Sequence, residues 1–135
     1  MKPSMVTPGA QSGAKADAET IASRTLAALA RVVPPAVPGI MFLLGGQSEV
    51  EATMNLNAMN QAPNPWHISF SYARALQNTC LKTWAGKDEN KVAAQAKLIQ
   101  RAMANSKAQT GKYDPATADE DASAAEGMYV KNYVY

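Results

Sequence analysis

The sequence predicts an α/β fold in which parallel strands alternate with helices and the sheet is left incomplete. Three observations carry this. Ile40-Met41-Phe42-Leu43-Leu44 is an unbroken apolar run closed by two glycines, the pattern of a strand buried on both faces. Helical periodicity precedes and follows it, and a second, alternating segment at 67–72 continues into more helix, so strands and helices take turns along the chain. Two strands cannot close a sheet, because each would be an edge with unpaired backbone groups. The buried strand therefore calls for neighbours that these residues do not supply.

The elements follow in order. Residues 3–16 carry Pro3, Pro8, Gly9 and Gly13 and read as loop. Asp17 is a helix N-cap. Behind it Ile21, Ala22, Thr25, Leu26, Ala28, Leu29, Val32 and Val33 form one wide apolar face, and Pro34-Pro35 end the helix. The strand at 40–44 ends at Gly45-Gly46. Ser48 and Glu51 then have capping-box spacing, which predicts a helix to about Asn60 burying Val50, Met54 and Leu56. Residues 61–66 are loop. The strand at 67–72 runs into a short helix with Leu76, Cys80 and Trp84 on one side and Gly86 as its C′ residue. Asp88 caps a last helix with Val92, Ala96, Ile99 and Met103 on one stripe, ending at Gly111. From Lys112 the periodicity disappears. The chain thus divides into a body, 1–111, and a tail, 112–135, expected to be flexible.

Composition narrows the function classes. Only 22 of 135 residues are Leu, Ile, Val or Phe, against 26 alanines, so a core built from them is thin. The net charge of +2 is too small for a charge-driven disordered chain. There is no run of 18 apolar residues to span a membrane and no secretory signal pattern at residues 1–4. One cysteine, Cys80, excludes an internal disulfide, and one histidine, His67, with one cysteine cannot make a Cys/His zinc site. P-loop and dinucleotide-binding fingerprints are absent. The body holds 11 basic and 6 acidic side chains, the tail 2 and 5. No basic cluster is dense enough for nucleic acid. The mild positive bias of the body suits a small anion such as a sugar phosphate, as it also suits an ordinary solvated surface.

Three strings stand out together: Lys2-Pro3-Ser4-Met5-Val6-Thr7-Pro8-Gly9; Pro34-Pro35-Ala36-Val37-Pro38-Gly39 leading to Phe42-Leu43-Leu44-Gly45-Gly46-Gln47-Ser48-Glu49; and Phe70-Ser71-Tyr72-Ala73-Arg74-Ala75-Leu76. In this order they resemble the C-terminal part of a class I fructose-1,6-bisphosphate aldolase, over essentially the whole chain. The Asn-Pro-Trp-His segment ending at His67 and the Gly-Met-Tyr-Val-Lys segment ending at Lys131 are similar to the plastid type of plants and green algae. The resemblance implies an eight-stranded βα barrel with a mobile C-terminal tail, of which this chain holds about strands six to eight and the helices after them. It implies reversible Schiff-base cleavage of a ketose bisphosphate into two triose phosphates, without metal or cofactor. It also implies a sugar-phosphate substrate, no nucleic-acid or membrane partner, and a homotetramer. The compartment it implies is the plastid stroma, with the cytoplasm as the alternative.

By the same resemblance, Lys2 ends the sixth strand and is the Schiff-base lysine, since an imine turns the ketone into an electron sink. Gly45 and Gly46 bring backbone N–H groups and a helix N-terminus to a phosphate. Arg74 grips the same phosphate, and Ser71 matches a further binding position. Tyr135 matches the tail tyrosine that folds over the site and assists proton transfer. Taken singly, each residue also has an ordinary structural reading; their order and spacing favour the site. His67, Cys80, Trp66 and Trp84 are expected to be packing residues.

Two departures stand out. Leu44 occupies a position where the family usually has serine, which removes a hydroxyl donor from the phosphate. The family's first five strands are also absent, and with them the acid/base carboxylates. The expectation is an incomplete sequence that is inactive alone. A non-catalytic phosphosugar-binding remnant and a split-barrel interaction subunit are the alternatives.

Overall fold

A computed structural model describes residues 1–118 and 121–132. It is α/β, with element order α1 (Ala18–Val32), β1 (Gly39–Phe42), α2 (Glu49–Gln61), β2 (His67–Phe70), α3 (Arg74–Trp84) and α4 (Lys91–Ala108); short 3-10 turns lie at Asp88–Asn90 and Ala122–Ala125. β1 and β2 are parallel, in the register Gly39 with His67 through Phe42 with Phe70. Parallel neighbours need a crossover, and α2 provides it.

The sheet has one more neighbour than the periodicity predicts. The Met1 amine donates to the Gly39 carbonyl (2.9 Å). Met41 N–H donates to the Met1 carbonyl (2.8 Å) and Leu43 N–H to the Pro3 carbonyl (3.0 Å). Residues 1–3 thus lie parallel to β1, on the edge away from β2. Pro3 has no N–H to return, so the ladder lacks one donor there. β1 is therefore flanked on both sides, and Ile40 and Phe42 are wholly buried.

Two of the four α-helix starts among the described residues follow local chemistry; α3 and α4 begin without a side-chain cap, and Asp88, expected to cap the last helix, opens the 3-10 turn before it. The Asp17 carboxylate accepts from Thr20 N–H (2.7 Å), which holds its pKa below the ordinary value. Ser48 and Glu51 form the reciprocal capping box. α3 ends on Ala85 in the left-handed region, with Gly86 following at φ +73°.

The helix faces depart from the periodicity. α1 buries Ile21, Ala22, Thr25 and Leu29, but Val32 and Ala28 are exposed. α2 buries Leu56 as expected; Val50 is only half-buried and Met54 is exposed, while Glu49, Thr53, Asn55 and Asn57 turn inward. The largest difference is in α4. Val92, Ile99 and Met103 face solvent, and the helix meets the body through Ala94, Arg101, Ala104, Asn105 and Ala108. The inward surface is hydrogen-bonded: Arg101 Nη2 donates to the Glu49 carbonyl (2.7 Å) and to Thr53 Oγ1 (2.5 Å). Asn105 Oδ1 lies 3.0 Å from Thr53 Oγ1, which shares its one proton between this oxygen and the Glu49 carbonyl (2.9 Å). Polar groups are tolerated there because they have partners, so apolar periodicity alone picks the wrong face.

Trp66 is buried, its indole N–H donating to the Pro34 carbonyl (3.1 Å) beyond the end of α1. His67 and Trp84 are exposed and Cys80 is half-buried, so of these four only Trp66 packs fully. Past Lys112 the chain forms no further α-helix among the described residues, yet Tyr113, Ala124 and Met128 are buried against the body.

Candidate functional site

Gly45, Gly46 and Arg74 meet at the ends of the parallel strands. Lys2 lies in the 1–3 segment beside β1 and is exposed. β1 leads through Leu43 and Leu44 into Gly45 and Gly46, both left-handed (φ +62° and +88°). Such backbone favours glycine. A side chain on Gly46 would in addition meet the Cα and Cβ of Tyr129 at 3.4 Å. At Gly45 an added Cβ would lie 3.8 Å from that of Ser4, which follows Lys2 by two residues. Ser4 of the lysine segment thus lies beside the glycine turn.

The turn is held from behind. Gln47 donates through its N–H (3.3 Å) and its Nε2 (2.7 Å) to the Leu44 carbonyl. Asn55 Nδ2 fixes the other end of that amide at Gln47 Oε1 (2.6 Å). Ser48 then starts α2, whose axis dipole favours an anion at the turn.

β2 delivers the second half of the site. Ser71 is exposed, and its N–H donates to the Phe42 carbonyl (2.9 Å), which extends the β1–β2 ladder. Tyr72 is buried with its hydroxyl donating to the Ala52 carbonyl (3.3 Å); burial pushes its pKa far up, and the nearby Arg101 offsets part of this. Arg74 opens α3. Its Nη1 donates to the Met128 carbonyl (3.0 Å), while Met128 N–H donates to the Gly46 carbonyl (3.0 Å). One residue of the C-terminal segment, Met128, therefore bridges Gly46 and Arg74. Gly45, Gly46 and Arg74 line one cleft of about 370 Å³ together with Met128, Tyr129 and Val130. A second cleft, of about 290 Å³, meets the same glycines from the side of the 7–16 loop.

Gly45, Gly46 and Arg74 are thus brought together, with Lys2 and Ser71 on the strands either side of β1. Leu44 belongs to this turn in sequence, but its side chain is buried in the core. Tyr135 lies outside the described residues. Among the described residues, no three His, Cys, Asp or Glu side chains stand close enough together to hold a metal ion. No helix among the described residues is long and apolar enough to cross a membrane.

Sequence reasoning missed two contributors. One is the 127–130 segment over the glycines, which has no periodicity to announce it. The other is Glu49, wholly buried behind the turn, with Thr79 N–H donating to its Oε1 (3.2 Å) and Thr79 Oγ1 to its Oε2. The signal for Glu49 was the polar i, i+4 repeat Glu49, Thr53, Asn57 on α2, matched by Arg101 and Asn105 on α4.

Comparison with known proteins agrees over the whole chain. The family model of class-I fructose-bisphosphate aldolase matches residues 1–135. The chloroplastic fructose-bisphosphate aldolase of Oryza sativa subsp. japonica is 68% identical over 136 residues, covering 100% of this chain and 34% of that protein. Fructose-bisphosphate aldolase 1, chloroplastic, of Chlamydomonas reinhardtii is 67% identical over 135 residues, with 100% and 35% coverage. Among solved structures, fructose-bisphosphate aldolase from Plasmodium falciparum, crystallised with TRAP and a small-molecule inhibitor, superposes with a TM-score of 0.80 at 52% identity. That match covers 84% of this chain and 33% of the other. The chain spans about a third of the length of the curated relatives it matches.

Proposed function

The chain belongs to the class-I fructose-bisphosphate aldolase family, and from that premise we propose that it is part of a lyase that reversibly cleaves fructose 1,6-bisphosphate to dihydroxyacetone phosphate and glyceraldehyde 3-phosphate. In this reading residues 1–111 belong to a (βα)8 barrel. Residues 1–3 end its sixth strand, and β1 and β2 are the seventh and eighth. Residues 112–135 form a mobile tail. The assembled protein is a homotetramer of the plastid stroma, in keeping with the chloroplastic names of the relatives.

Lys2 is the nucleophile. Its amine adds to the substrate ketone, water leaves, and the resulting imine accepts the electron pair released when the neighbouring C–C bond breaks. Gly45 and Gly46 offer backbone N–H groups to a phosphate, the α2 dipole adds to them, and Arg74 supplies the positive charge. Ser71 supplies a hydroxyl nearby, and Leu44 shapes the turn without one. Phosphate on Arg74 takes the place of the Met128 carbonyl, so the tail is displaced from the cleft as substrate enters. Tyr135 then assists proton transfer from the tail. The remaining acid/base groups come from the part of the family that this chain does not span.

The single observation that carries the reading is the cleft shared by Gly45, Gly46 and Arg74 beside the Lys2 segment, in a chain matched end to end by one family. The test is a completed protein: this chain joined to the part of the rice relative that it does not match. It is expected to cleave fructose 1,6-bisphosphate and to lose at least 1,000-fold of that activity on Lys2→Ala, a loss on the scale of removing a covalent nucleophile. Full activity in the alanine variant would overturn the reading.

A further inference from the structure

We infer that Glu49 and Thr79 are positioning residues for the phosphate cleft, acting by locking the first turn of α2 to α3. The inference rests on the reading of Gly45, Gly46 and Arg74 as a phosphate site.

That cleft is built from two separate strand-to-helix junctions. The glycines belong to the β1–α2 junction and Arg74 to the β2–α3 junction. The sheet register alone does not fix how far the arginine stands from the glycine turn, because both lie beyond the paired strands. Tyr72 ties the β2–α3 junction to Ala52 of α2 and Met128 bridges the two from outside; a direct bond between the two helices is the remaining tie.

The structure supplies one. Glu49, the first residue of α2, is three positions after Gly46 and wholly buried. Its carboxylate receives two donors from one residue of α3: Thr79 N–H at Oε1 (3.2 Å) and Thr79 Oγ1 at Oε2. α3 has only two buried residues, Ala75 and Thr79. The fork at Thr79 is therefore the directional tie on the buried face of α3 toward α2, beside the bonds that Arg74 and Lys82 make to the 126–128 segment. A negative group also suits the N-terminus of α2. The main chain of Glu49 is anchored in turn, its carbonyl accepting from Arg101 Nη2 (2.7 Å) and Thr53 Oγ1 (2.9 Å).

A third part of the site converges on the same hydroxyl. Ser123 Oγ lies 3.2 Å from Thr79 Oγ1. The Thr79 hydroxyl has one proton, and it goes to Glu49. Ser123 is then the donor to Thr79. Five residues further on, Met128 bridges Gly46 and Arg74 through its N–H and its carbonyl. The relay from Ser123 through Thr79 to Glu49 thus ties together the glycine turn, the arginine helix and the segment that covers both.

The test uses the completed protein with Thr79→Val, Thr79→Ser, Glu49→Gln and, as reference, Arg74→Ala. Four quantities are read: KM and kcat for the bisphosphate, competitive inhibition by inorganic phosphate, and melting temperature. Thr79→Val keeps shape and removes the hydroxyl. It is expected to raise KM and the phosphate inhibition constant about tenfold, the scale of a lost hydrogen bond to a charged group, with kcat within about twofold. Thr79→Ser keeps the hydroxyl and is expected to restore both constants to within about twofold. Glu49→Gln retains an acceptor without the charge and is expected to fall between them; with Thr79→Ser it decides the matter should the valine variant not fold. A lower melting temperature with unchanged KM and phosphate inhibition would overturn the inference, leaving Thr79 a merely structural residue. If Arg74→Ala also leaves phosphate inhibition unchanged, it is the reading of the site that has failed.

Discussion

The Leu44 side chain is buried in the core, one residue before the glycine turn. The family resemblance expects a serine hydroxyl there, so Leu44→Ser trades two effects of opposite sign. Withdrawing a buried leucine costs about 2–5 kcal/mol of stability. A hydroxyl donated to a charged phosphate returns about 1.5–3 kcal/mol to binding. In the completed protein the substitution is expected to lower the melting temperature and lower KM for the bisphosphate together. Both are read on one preparation by thermal melting and steady-state kinetics; a lower melting temperature with unchanged or raised KM would remove Leu44 from the phosphate's reach. Lys2, the glycine pair and Arg74 stood out as candidates because each sits in a short string that carries the family resemblance. Glu49 and Thr79 did not. A buried carboxylate is stabilised by the partner it meets across the fold, and α3 gives no sign in its own sequence of which helix it will meet.

At the scale of the element, starts were easier to read than faces. Asp17, the Ser48–Glu51 box and Gly86 act through neighbours within four residues, so the residues alone locate them. The face of α4 depends on what lies opposite, and there Arg101 and Asn105 outcompete Val92 and Met103 by bonding the polar row of α2. The short turn at Ala122–Ala125 is a further local device. Asp121 accepts from Ser123 N–H (3.0 Å) and pairs with Lys97 (3.2 Å). The backbone bond from Ser123 is the main cause, with Lys97 adding to it, of a pKa lowered from 3.8 to about 2. A depressed carboxyl pKa stabilises the folded form above the unfolded value and loses that contribution as pH falls through the folded one. The cap is therefore fully present above about pH 4 and released toward pH 2. An NMR titration of the Ser123 amide in the completed protein is expected to move with a midpoint near 2 rather than 3.8. A midpoint at the ordinary carboxyl value would mean that the cap is not formed in solution.

Across the whole molecule, β1 has on both sides the neighbours that the chain was not expected to supply, but among the described residues the sheet ends at β2 on one edge and at residues 1–3 on the other. Edge strands with unpaired N–H and C=O groups seek partners, and α4 adds Val92, Ile99 and Met103 to the exposed apolar surface. The 135-residue chain by itself is expected to elute from size exclusion as mixed oligomers and to melt without a sharp transition. A single monomeric peak with cooperative melting would show that these edges need no cover. The third parallel segment was not legible from periodicity, because residues 1–3 are too few to alternate; it was legible only through the lysine string and the family it resembles.

The central claim is that Lys2 forms the imine of a complete barrel, and borohydride trapping with dihydroxyacetone phosphate tests it most directly. Reduction converts an imine to a stable amine on the lysine that formed it, and peptide mass spectrometry identifies which one. The completed protein is expected to carry the adduct on Lys2 selectively. The 135-residue chain alone, in which Lys2 is exposed, is expected to label Lys2 no faster than the exposed Lys112. An adduct on another lysine of the active completed protein, or none, would contradict the account, and selective labelling of Lys2 in the chain alone would show that it needs no further strands to build the site.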